Sequence, residues 1–137
     1  MSALLRFFHC SRQRRILLLD AMLRLLIVRC ALNILSLANV DQLTCSGPRA
    51  LSRSNTADIV SAIETASLYA PAPSCLVRAL AASWLLRLNG FNPVLRYGVM
   101  RVRNGLDAHA WIEIDGRVVL GGGSIDRYAL LAPIPQP

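Results

Sequence analysis

The chain has 137 residues, of which fifteen are Lys or Arg and eight are Asp or Glu, for a formal charge of +7. That length suits one domain with one core and leaves little for a second module, so a single active site is expected. The charge would favour an anionic partner, but the arginines are scattered along the chain without interleaved stacking aromatics, so no nucleic-acid partner is expected.

The first fifteen residues, with Leu4, Leu5, Phe7 and Phe8 among Arg6, Arg12, Arg14 and Arg15, read as a basic helix or arm. They lack the ordered charged, apolar and small-residue sections of a secretory signal. Cys10, Cys30, Cys45 and Cys75 form no CxxC unit and no regular framework. Neither a zinc site nor a disulfide scaffold is therefore expected, and the thiols point to a reducing cytoplasm.

The most apolar segment, 16–38, carries Asp20, Arg24, Arg29 and Asn33. A charge at the bilayer centre costs about 2.5 to 3.5 kcal/mol on insertion scales. The segment is accordingly read as an amphipathic helix packed on protein, with contact at a membrane surface disfavoured. Leu19, Met22, Leu23, Leu26, Ile27, Cys30 and Ile34 share one broad helical face, expected to bury against a partner element.

Residues 44–55, rich in Ser, Gly, Pro and Arg, read as a connector. The chain thus divides into an N-terminal arm, helix and connector over 1–54 and a core domain over 55–137. Asn55 or Thr56 caps a helix with Asp58 in its first turn and Ile59, Val60, Ile63 and Ala66 as its buried stripe, stopped by Pro71. A second helix starts at Cys75 after the N-cap Ser74, carries Val77, Leu80, Trp84 and Leu85 inward, and stops at Gly90.

Beyond Gly90 the period changes from 3.6 to 2. Strands are expected at 94–100, 108–114 and 117–120, with turns at Arg103-Asn104-Gly105 and Asp115-Gly116. Helices followed by an antiparallel meander make an α+β domain. The proline-rich tail, 132–137, reads as irregular.

A thiol attacks carbonyls as thiolate, and the first turn of a helix offers free N–H groups and the positive end of the macrodipole, both of which favour an anion. Cys75 stands there, where the same N–H groups would also serve an oxyanion. The bland alternative is a small core residue. A cysteine peptidase also needs a base, and the chain has two histidines. His9 lies in the basic arm. His109 lies in a strand whose Ile112 and Ile114 face is apolar, and it is either the base or a buried structural histidine.

The segments Cys75-Leu76-Val77-Arg78-Ala79-Leu80-Ala81, Trp84-Leu85-Leu86-Arg87, Ala108-His109-Ala110-Trp111-Ile112-Glu113 and Asp115-Gly116-Arg117-Val118-Val119 follow one another in order. Over residues 55–125 this pattern resembles the lasso-peptide B proteins, leader peptidases with a transglutaminase-like, papain-related core. The resemblance implies a thiol protease in which Cys75 is the nucleophile and His109 the base, and which removes the leader from a ribosomally made precursor peptide. It implies no cofactor in this chain. ATP would be used by a separate lasso cyclase that closes the macrolactam, and a separate leader-recognition protein would present the precursor.

The family pattern places an aspartate on the next strand. A three-residue turn at Ile114-Asp115-Gly116 would set His109 opposite Gly121, and a two-residue turn would set it opposite Gly122; glycine stands there either way. Glu113 and Asp115 lie too far along the strand to reach back. Asp126, after Gly121-Gly122-Gly123, is the candidate third member, beside a backbone carbonyl or a plain Cys-His dyad. A non-catalytic peptide-binding relative and an acyltransferase using the same pair are the competing readings.

Overall fold

In the computed structural model, which describes residues 2–45, 53–71, 74–123 and 125–131, helices precede strands. The helices are α1 (Ala3–His9), α2 (Arg12–Ile34), α3 (Leu37–Cys45), α4 (Thr56–Ser67) and α5 (Cys75–Leu88). The strands are β1 (Val94–Val102), β2 (Gly105–Ile114), β3 (Arg117–Leu120) and β4 (Ala129–Leu130), with a 3-10 turn at Ile125–Arg127 before β4. The fold is α+β, as the change of period implies. The centre of the expected connector, 46–52, and the proline-rich tail lie outside the described residues.

The caps follow the sequence. Asn55 Oδ1 accepts the Asp58 N–H at 2.8 Å, and Ser74 Oγ accepts the Val77 N–H at 3.2 Å. Gly90 closes α5 with a φ of +89°, which side chains rarely adopt.

The buried face of α2 is turned from the expected one, of which only Met22 and Ile27 pack half-buried against the core. Leu17, Asp20, Ala21, Arg24, Leu25 and Val28 point inward, while Leu19, Leu23, Leu26, Cys30 and Ile34 are exposed. Arg24 and Asp20 form a buried ion pair at 2.9 Å, one turn apart, and the guanidinium lies 4.2 Å from the centroid of the Trp84 ring on α5. Pairing and the aromatic face offset the desolvation that would otherwise keep both charges outside. Ala21 on α2, Ala62 and Ala66 on α4, and Ala81 and Ala82 on α5 are all buried and let the three helices approach closely. The core is continuous across residue 55, because α2 packs directly on α4 and α5.

Helix α5 is buried on nearly every side, between the other helices and the inner face of the sheet. Leu95, Ala110, Ile112 and Leu120 supply that sheet face. The sheet is antiparallel with strand order β3-β2-β1-β4.

Asp115 and Gly116, with φ of 51° and 76°, form a two-residue turn that sets Ile114 opposite Arg117. A bulge between Ile112 and Glu113 then shifts the register so that Ile112 faces Leu120. Neither simple register expected from the turn therefore holds near His109. The shift brings Gly121 against Ala110 and Trp111, where a Cβ would lie 2.8 Å from the Ala110 oxygen. After Gly121 the chain passes to the far edge of the sheet, where β4 pairs with β1 at Gly98 and Val99.

Candidate active site

Cys75 is the first residue of α5, and its half-buried Sγ lies 4.0 Å from the Ala108 carbonyl of β2. The helix start thus meets β2 one residue before His109. Ser74 occupies the Val77 N–H, and the N–H groups of Cys75 and Leu76 have no acceptor within the helix. Cys75 is a free thiol.

His109 alternates with Ala108 and Ala110 along β2, so its side chain leaves on the outer face with Asp107, Trp111 and Glu113. Its Nε2 lies 2.7 Å from the Gly121 carbonyl oxygen. A carbonyl only accepts, so Nε2 carries the proton, and the lone pair of the neutral ring sits on Nδ1. This is the tautomer a general base needs if Nδ1 is to take a proton from a thiol.

Cys75 and His109 line one open cavity of about 170 Å³ with Glu64 of α4, Arg78 of α5, Gly121 and Gly122. Residues separated by 34 positions in sequence are thereby brought to one cleft. Its helix side carries one carboxylate and one guanidinium.

Asp126 is exposed on the 3-10 turn, and its carboxylate makes no hydrogen bond or ion pair among the described residues. The group bonded to the imidazole is the Gly121 carbonyl. Glu113 is engaged elsewhere, accepting from Trp111 Nε1 at 3.1 Å and from Arg96 Nε at 3.3 Å. His9, at the end of α1, is exposed. Among the described residues no group of three or more His, Cys, Asp or Glu side chains could hold a metal ion, and no helix is long and apolar enough to cross a membrane.

Two residues not singled out from the sequence adjoin the site. Tyr128 packs its ring 5.4 Å from the His109 ring and donates its hydroxyl to Asp107 Oδ2 at 2.7 Å. The hydroxyl is held above its ordinary pKa, first by that hydrogen bond, then by partial burial and by the charge of Asp107, with Arg127 pulling the other way. Asp107 was legible, two residues before His109 and on the same face. Tyr128 was not, since no local pattern links it to β2.

No curated protein and no solved structure matches the chain. The family model described as the Transglutaminase-like superfamily matches residues 17–133, from the second turn of α2 past β4. That span includes both the cysteine at the helix start and the strand histidine, and on this match the chain belongs to the Transglutaminase-like superfamily.

Proposed function

We propose that the protein is a cysteine peptidase that removes the leader from a lasso-peptide precursor, with Cys75 as nucleophile and His109 as base. The observation that carries this reading is the hydrogen bond from His109 Nε2 to Gly121, which leaves Nδ1 as the basic nitrogen of a ring sharing a cavity with the Cys75 thiol.

In the first step the thiol proton passes to Nδ1 as Sγ bonds to the scissile carbonyl carbon. The N–H groups at the start of α5 stabilise the oxyanion. The C–N bond then breaks, the leaving amine takes the proton from His109, and water resolves the thioester with the same histidine as base. An amine in place of water would make the enzyme an acyltransferase. That no carboxylate among the described residues bonds His109 is what favours the competing reading, a non-catalytic peptide-binding relative.

Macrolactam closure falls to a separate ATP-using cyclase, and a separate leader-recognition protein delivers the precursor in a reducing cytoplasm. The exposed Leu19, Leu23 and Leu26 on α2, spaced four and three residues apart, support protein docking at that end. The test is mass spectrometry of precursor incubated with wild type and with Cys75→Ala in the presence of the recognition protein. Cleavage by wild type alone supports the peptidase, and equal cleavage by both removes it.

A further inference from the structure

A ring held by one hydrogen bond can still swing about that bond. His109 is restrained beyond the Gly121 contact. On one side Trp111 stacks at a centroid distance of 6.0 Å and an interplanar angle of 23°, anchored by its indole N–H to Glu113. Near the imidazole as well lies the Tyr128 ring, at 5.4 Å and 36°, anchored by its hydroxyl to Asp107.

The backbone is shaped for this arrangement. Gly98 of β1 pairs directly with His109. A Cβ at Gly98 would lie 2.8 Å from both the Tyr128 Cβ and the Ala129 oxygen, so only glycine admits Tyr128 beside the histidine.

We propose that Tyr128, tethered to Asp107, is a positioning residue for His109, and that with Trp111 it restrains the imidazole plane in the orientation that a carboxylate maintains in a Cys-His-Asp triad. The proposal rests on the Cys75-His109 reading above. Productive geometry must be held to about 10–20°, and aromatic contacts supply that restraint without a third ionised group.

The test uses p-nitrophenyl acetate, a small ester whose turnover needs neither leader nor partner. The Sγ–C bond forms, the ester C–O bond breaks with p-nitrophenolate leaving, His109 takes the thiol proton, and water then releases acetate. Tyr128→Leu should lower kcat by about 30-fold or more, with KM within about twofold, because binding is untouched while orientation is lost. Tyr128→Phe, which keeps the ring but loses the tether, should leave kcat about three- to fivefold below wild type, and Asp107→Asn should match it. Unchanged kcat in Tyr128→Leu, or a loss confined to KM, overturns the proposal. If Tyr128→Leu does not fold, wild-type kcat in both Tyr128→Phe and exposed Asp107→Asn overturns the tether. A wild type no faster than Cys75→Ala overturns the Cys-His reading itself, an outcome distinct from any effect at Tyr128.

Discussion

His109 Nε2 and the Gly121 carbonyl oxygen lie 2.7 Å apart, so that in the proposed Cys75-His109 pair a backbone group stands where a triad would have its third side chain. Asp126 is exposed and bonds to none of the described residues, so the proposed Cys75-His109 pair does not draw on it. Asp126→Asn should leave leader cleavage within about threefold of wild type, since ~1 kcal/mol or less of transition-state stabilisation is at stake. A thousandfold loss, with circular dichroism unchanged, would restore the full triad.

Restoring a carboxylate at Gly121 should fail. That residue has a φ of +77°, and a Cβ there meets the Ala110 oxygen at 2.8 Å and the Trp111 Cβ at 3.1 Å. Both Gly121→Ala and Gly121→Asp should lower stability by about 2 kcal/mol or more, as expected for a side chain forced into a left-handed, crowded position. Urea denaturation measures the loss, and a more active Gly121→Asp variant would contradict the account.

Cys75→Ala and His109→Ala should each abolish leader removal while leaving the fold intact. Both side chains are only half-buried, so the stability change should stay near the ~1 kcal/mol typical of point substitutions. Thermal melts beside the cleavage assay separate lost chemistry from lost structure.

The Asp20-Arg24 pair should matter through its burial. Removing one partner, as in Asp20→Ala, strands the guanidinium and should cost about 3–5 kcal/mol, whereas a double change to apolar residues of similar volume should be close to neutral. Denaturation of the two single variants and of Asp20→Leu/Arg24→Met checks the contrast.

Purified alone, the protein should cleave precursor poorly, and a leader-binding protein should raise the rate mainly through local substrate concentration. Leu23→Glu, on the exposed stripe of α2, should reduce that stimulation while p-nitrophenyl acetate turnover stays unchanged. Full activity on free precursor, or undiminished stimulation of Leu23→Glu, would argue against docking there.

Local chemistry was enough to read the helix starts at Asn55 and Ser74, the stop at Gly90, the turn at Asp115-Gly116 and the order of helices before strands. Each depends on a cap, a left-handed glycine or a periodicity that neighbouring residues carry by themselves. The position of Cys75 at a helix start and of His109 on a strand was legible for the same reason. The inward face of α2 was not, because apolar residues surround that helix, and the choice between its faces depended on Trp84 receiving Arg24 and on alanines of α4 and α5 admitting a close approach. A backbone carbonyl was among the alternatives for the partner of His109, but which carbonyl, and that it would displace Asp126, was out of reach. A one-residue bulge between Ile112 and Glu113 decided that a backbone oxygen would meet the imidazole, and the pairing of β4 with β1 brought Tyr128 beside it; both are long-range events that no local sequence pattern encodes.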